Sequence, residues 1–166
     1  MKAAQAPPKF PAAWGRAATA PSLRHYVAMP IEPIRAEWCA SAIQLWAKVG
    51  LTRPWNDPRA DLERAISSPA STVLASVQAE RLISTAMVGH DGHRGWVYYL
   101  AVAPEAQGQG HGRMMMNACE AWLHERQIPK LNLMVRAGNA GVQGFYRAIG
   151  YQAEDRVVMS RRLDEP

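Results

Sequence analysis

Apolar and polar positions along the chain keep two rhythms, one of three to four residues and one of two, and together they predict a mixed α/β domain. After Pro30 the apolar residues Ile34, Trp38, Ala42, Leu45 and Val49 recur at helical spacing, which gives one inward face. Gly50 ends that helix. A short helix is predicted from about Arg59 to Ser67, and a longer one from Gly110 to Arg126 with Met115, Cys119, Trp122 and Leu123 on its inner stripe. Another is predicted from Ala140 to Ile149. Strands are predicted over Leu23–Met29, Thr72–Gln78, Leu82–Gly89, Gly95–Ala103, Lys130–Val135 and Val157–Leu163, and Asp91-Gly92 supplies a tight hairpin turn. The helix lying between strands 95–103 and 130–135 implies a right-handed parallel crossover. The expected fold class is therefore α/β: a mixed, mostly antiparallel central sheet flanked by helices. A glycine-rich loop joins a central strand to the following helix, at the carboxyl end of a strand, where open α/β sheets bind ligands.

Composition changes this picture at the N-terminus. Residues 1–22 are rich in Ala and Pro and carry Lys2, Lys9 and Arg16 but no acid, so they are expected to form a mobile extension that buries too little surface to offset its ordering entropy. This stretch has no continuous apolar core of a secretory signal, and its prolines break the amphipathic helix of a transit peptide. Residues 23–163 are expected to form a single domain. No apolar run approaches the roughly 20 residues needed to cross a bilayer, which argues against a membrane partner. The formal net charge of +5 favours anionic partners. The basic residues are scattered, however, and the pair Arg161-Arg162 lies among Asp155, Asp164 and Glu165. That pattern argues against nucleic acid and suits a small polyanionic cofactor. Cys39 and Cys119 fall inside helical patterns beside tryptophans and read as small buried hydrophobes, consistent with a reduced, cytoplasmic setting.

The chemistry concentrates in Gln107-Gly108-Gln109-Gly110-His111-Gly112, just after the apolar strand. Glycines there let the backbone approach a ligand, and the first turn of the next helix adds unpaired N–H groups and a positive dipole end, a site for phosphate-type anions. Three glycines are more than a simple chain reversal requires. A dinucleotide fingerprint would need glycine where Arg113 stands, and no Gly-Lys-Ser/Thr follows for a P-loop. The pattern that fits is Gln/Arg-x-x-Gly-x-Gly/Ala, met by Gln107, Gly110 and Gly112 after Leu100-Ala101-Val102-Ala103-Pro104-Glu105. A second stretch follows in order: Val135-Arg136-Ala137-Gly138-Asn139, then Phe145-Tyr146-Arg147-Ala148-Ile149-Gly150-Tyr151. Over residues 23–163 the chain thus resembles the GNAT superfamily of N-acetyltransferases.

The resemblance implies a single N-acetyltransferase domain that moves an acetyl group from acetyl-CoA, as co-substrate, to a primary amine by direct attack in a ternary complex. It places the CoA pyrophosphate on backbone N–H groups of Gln107, Gly108, Gln109, Gly110, His111, Gly112 and Arg113. It also implies a bulge in the preceding strand that frees main-chain groups of Leu100 and Val102 for the pantetheine arm and the acetyl carbonyl. Asn139 is read either as a contact to that arm or as the N-cap of the helix from Ala140. Tyr146 matches the tyrosine that protonates the departing thiolate in many relatives. Relatives often carry a glutamate base on a central strand, but the corresponding positions here are Trp96 and Met134. Tyr98, placed by alternation on the face of Trp96 and Leu100, and His93, Asp91 and Asp57 stay as alternatives, as does an acceptor that arrives neutral. Trp55, Asn56 and Asp57, in the loop between the first two helices, are expected with Tyr98 to border the acceptor pocket. Asp57 is read as a partner for a cationic amine or as the cap of the helix from Arg59, and Trp55 as a platform or a lid. His90 and His93 alone do not make a metal site, so no metal is expected. A homodimer is left open. The missing carboxylates keep a second reading in play, a CoA-binding module or sensor with little catalytic activity.

Overall fold

The computed structural model describes residues 30–163. The elements run β1 (Ile31–Pro33), a 3-10 turn at Ala36–Trp38, α1 (Cys39–Lys48), α2 (Pro58–Ser67), β2 (Ser71–Gln78), β3 (Arg81–His90) and β4 (Gly95–Val102). After a second 3-10 turn at Pro104–Ala106 come α3 (His111–Glu125), β5 (Leu131–Leu133) and α4 (Ala140–Ala148). The five strands lie in sequence order in one sheet. All neighbours are antiparallel except β4 and β5, which α3 joins as the predicted parallel crossover.

Two apolar layers cover the sheet. On one face Ala42, Leu45 and Trp46 of α1 and Leu62 and Ala65 of α2 bury Val73 and Ala101. On the other, Met115, Met116, Cys119 and Leu123 of α3 cover Leu74, Ala86, Val88 and Val97, with Phe145, Tyr146 and Ile149 of α4 packed at the margin. The predicted inner stripe of α3 is therefore the buried one, except that Trp122 lies at its edge, where Arg126 stacks over the indole at 3.7 Å. Burying each of these large side chains stabilises the fold by about 1.5–3 kcal/mol before ordering costs.

Two expectations need revision, at the start of the first helix and at the last strand. The strand expected over Leu23–Met29 and the extension 1–22 lie outside the described residues. The first helix begins later than its apolar period suggests, because Ile31–Pro33 pair with β2 and the Ile34 N–H donates to the Val73 carbonyl at 2.7 Å. The strand expected over Val157–Leu163 is absent. That stretch has no regular structure, and Val157, Met159 and Leu163 are about nine-tenths exposed. An apolar run such as Val157-Val158-Met159 is not sufficient for a strand, since a strand also needs pairing to a neighbour. Here Arg162 instead donates to the Trp55 carbonyl at 3.1 Å.

Candidate active site

The site forms where the sheet opens. β5 pairs with β4 only at Gly95, Trp96 and Val97, so the rest of β4 has no sheet partner on that side. The gap widens into a cleft of about 780 Å3, bounded by the later half of β4, the glycine loop, the first turn of α3 and the inner side of α4. Arg53, Arg113 and Arg136 line it, and among the described residues no aspartate or glutamate does. These guanidinium groups favour an anion in the cleft.

The implied bulge is present in β4. Thr85 pairs with Ala101 and Met87 with Tyr98, leaving Tyr99 and Leu100 together opposite Ala86, and Tyr99 takes the left-handed φ of 52°. The extra residue changes the parity of the strand. Tyr99 packs on the α1 side with Trp46, whereas Leu100 packs on the α3 side with the cluster that holds Val97. The expectation that Tyr98 and Leu100 share a face is corrected accordingly, because strict alternation fails across a bulge. Further along, the Ala103 N–H donates to the Ile83 carbonyl at 2.8 Å. Alternation then turns the main-chain groups of Val102 away from β3. The carbonyl of Val102 accepts from Gln107 Nε2 at 3.1 Å, which ties the loop to the strand.

The glycine loop uses its glycines for different ends. Gly108 and Gly110 hold φ of 74° and 89°, and Gly110 is the residue from which α3 starts. No side chain caps α3, so its first-turn N–H groups at His111, Gly112 and Arg113 have neither an intrahelical acceptor nor a capping one. Gly112 is a matter of space, since a Cβ there would lie 3.1 Å from Phe145 Cζ. Gln109 folds back to donate to the Glu105 carbonyl at 3.0 Å, and Arg113 reaches the Ala148 carbonyl at 3.4 Å, linking α3 to α4. His111 lines the cleft with 9% exposure, and its Nδ1 is buried without a hydrogen-bond partner. Leaving such a group unmet costs about 1–3 kcal/mol, which a ligand polar atom would recover. Uncapped donors, an orphaned buried nitrogen and three guanidinium groups fit the phosphate-rich CoA moiety.

Across the cleft, Asn139 caps α4 by accepting from the Val142 N–H at 3.2 Å, and it also lines the cleft, so both readings of it keep a structural basis. Tyr146 lines the cleft between Phe145 and Tyr151, edge to face with each at 5.0 and 5.6 Å. Burial, reinforced by the nearby Cys119 sulfur, pushes its phenol up to about 12. Tyr98 is 44% exposed in the cleft, and burial raises its phenol too, so it stays protonated and cannot accept a proton near neutral pH.

The other base candidates lie elsewhere. Asp91 accepts from the Arg94 and His93 N–H groups at 2.7 and 2.8 Å in the β3–β4 turn, and these bonds hold its carboxyl below the usual range. Neither it nor His93 borders the cleft, and of the two positions at which the resemblance would place a base Met134 lines it while Trp96 does not. Asp57 caps α2, accepting from Arg59 and Ala60 N–H groups at 2.9 and 3.1 Å. Trp55, Asn56 and Asp57 border a separate depression of about 420 Å3 that also holds Asp61, Arg64 and Arg162. The segment that reaches the main cleft is the start of the same loop, where Arg53 donates to the Gly50 and Thr52 carbonyls at 2.9 and 2.6 Å. Among the described residues no group of three His, Cys, Asp or Glu could hold a metal ion, and no helix is long and apolar enough to cross a membrane.

Comparison with known proteins agrees with this geometry. Residues 40–151 match the acetyltransferase (GNAT) family. The chain is 38% identical over 121 residues to an acetyltransferase of Yersinia enterocolitica, covering 73% of this chain and 86% of that one. An acetyltransferase of Yersinia pestis matches over the same shares at the same identity. Among solved structures, an aminoglycoside N-acetyltransferase in complex with CoA superposes with a TM-score of 0.72 at 14% identity, covering 86% of this chain and 99% of that one. An aminoglycoside 6'-N-acetyltransferase from Acinetobacter haemolyticus superposes with a TM-score of 0.67 at 17% identity, covering 82% and 100%.

Proposed function

The chain belongs to the acetyltransferase (GNAT) family, and on that premise we propose that it moves an acetyl group from acetyl-CoA to a primary amine by direct attack within a ternary complex. The observation that carries this reading is the splayed cleft: bulged β4 on one wall, uncapped α3 at the floor, and Tyr146 on the other wall. Acetyl-CoA supplies an activated thioester. The first-turn N–H groups of α3, with Arg113 and the loop from Gln107, hold its pyrophosphate. Because Gln107 already occupies the Val102 carbonyl, the N–H of Val102 is the group left for the pantetheine arm, and Leu100 serves the acetyl carbonyl from within the bulge. Backbone donors aimed there stabilise the oxygen charge that develops as the amine nitrogen bonds to carbon. The carbon–sulfur bond then breaks, and the Tyr146 phenol donates its proton to the departing sulfur.

A phenol held near 12 stays protonated at neutral pH, so the donor is always loaded. Among the described residues that line the cleft no carboxylate can take the amine's proton, and in this reading the acceptor reacts as the neutral amine and gives that proton to water. Tyr98, on the open side of the cleft, contacts the acceptor. Trp55, Asn56 and Asp57 reach only an acceptor long enough to extend beyond the cleft into their separate depression.

The absence of a carboxylate among the described residues lining the cleft also favours a second reading, a CoA-binding module with little turnover. Incubation with acetyl-CoA and a panel of amines, polyamines and peptides, with assay of free thiol, separates the two. Thiol release that depends on one acceptor class supports transfer. Tight binding without release on any acceptor supports the module, and no rise in Tm with acetyl-CoA sinks both.

A further inference from the structure

Among the described residues, four that are not glycine hold positive φ. Ala79 and Glu80 make the β2–β3 turn and Gln127 follows α3, but Tyr99 lies inside a strand. A bulky side chain in this conformation persists only where its surroundings overdetermine it. Three elements do so. The Tyr99 ring stacks on Trp46 of α1, with centroids 4.2 Å apart and planes within 20°. The phenol donates to Asp61 Oδ2 of α2 at 2.7 Å, while Arg64 engages the other oxygen of that carboxylate. The Trp46 indole donates to Thr85 Oγ1 at 2.9 Å, and Thr85 pairs with Ala101 at the far end of the bulge. Trp46 and Thr85 are fully buried, so their link is screened from water, and the Tyr99–Asp61 bond is half-buried beside it.

None of these side chains belongs to the phosphate cradle. What they share is the backbone between Tyr98 and Val102, whose geometry decides where the main-chain groups of Leu100 and Val102 point. We propose that Tyr99 and Asp61 are positioning residues for acetyl transfer, their phenol–carboxylate bond locking β4 in the bulged form that presents Leu100 and Val102 to the acyl group. This rests on the donor site described above. It assigns a function to Tyr99 and to Asp61 on α2, neither of which supplies a reacting atom.

The test compares wild type with Tyr99→Phe, Asp61→Ala, Asp61→Asn and the Tyr99→Phe/Asp61→Ala double variant. It reads kcat, KM, the Kd of acetyl-CoA by calorimetry, and amide hydrogen exchange at Leu100–Val102. Tyr99→Phe and Asp61→Ala should each lower kcat about tenfold, since small displacements of reacting groups are costly. The double variant should fall no further than either single one. Asp61→Asn should stay within about threefold of wild type, because its amide oxygen still accepts from the phenol. Acetyl-CoA Kd should move less than about threefold, since the cradle at α3 is untouched, and exchange at Leu100–Val102 should quicken about tenfold in the two disruptive variants. Unchanged kcat with unchanged exchange in Tyr99→Phe overturns the proposal. Equal damage from Asp61→Asn and Asp61→Ala overturns it too, since the negative charge rather than the anchoring bond would then matter. If wild type itself shows no turnover, the transfer reading fails, and the exchange measurement alone still decides whether the bond locks the bulge.

Discussion

Individual side chains in this protein answer to their immediate neighbours more than to their motif. Tyr146 illustrates the agreement of the two. Its place after Phe145 marks it in the sequence, and packing against α3 keeps its phenol protonated within the cleft. Replacing Tyr146 by Phe should lower kcat at least about 100-fold while acetyl-CoA affinity changes by less than about threefold, because a positioned proton donor acts only in the transition state. Steady-state kinetics paired with calorimetry checks this, and an unchanged kcat removes Tyr146 from the chemistry. Asp57 illustrates the reverse, a residue with an acceptor-binding reading whose carboxylate is spent on a cap. Asp57→Ala should destabilise the fold by about 1 kcal/mol, a fall in Tm of roughly 2–4 °C, and leave acetyl-CoA affinity unaltered. If acceptor KM rises instead with Tm constant, Asp57 contacts the amine. The Tyr99–Asp61 bond lay beyond sequence reasoning, since the two residues are 38 positions apart on different elements.

At the level of elements, local signals and tertiary partners share control. Helices α1 to α4 follow from apolar period and stop signals, and the Asp91-Gly92 turn from its dipeptide. Their bounds fall within a few residues of expectation, except at the start of α1, where pairing of Ile31–Pro33 with β2 overrides the period. The glycine loop is the element on which donor binding depends. Gly110 holds a φ of 89°, a conformation that costs a residue with a Cβ roughly 1–2 kcal/mol. Gly110→Val should therefore lower Tm by several degrees and weaken acetyl-CoA at least about tenfold, both measurable in one thermal-shift titration. Retained affinity would mean that the loop backbone does not hold the donor. The missing strand at Val157–Leu163 shows the limit of a local apolar run: these seven residues pair with no strand of the sheet and so form none.

The whole molecule carries a pH signature of its buried phenols and thiol. Burial pushes Tyr146 up to about 12, burial and then the Asp61 hydrogen bond do the same for Tyr99, and burial with Glu120 raises Cys119 to about 12 and Tyr151 further still. In each case the folded state binds the proton more tightly than the unfolded chain does. The stability they contribute is therefore complete below about pH 9 and lost as pH rises through roughly 9 to 12, where the unfolded chain ionises first. Tm should stay level from pH 7 to 9 and fall steeply above it, and a Tm unchanged to pH 11 would contradict these environments. By itself the sequence determined the order of helices and most strands, the parallel crossover, the glycine loop and the two family motifs, because turn chemistry, apolar period and short motifs act over a few neighbouring residues. Only the tertiary structure decided the early divergence of β5 from β4, the parity change at Tyr99 and the lack of a carboxylate among the described lining residues. It also decided the separation of Trp55, Asn56 and Asp57 from the main cleft. Each of these depends on which distant surfaces meet, and a local pattern carries no information about the far partner of a contact.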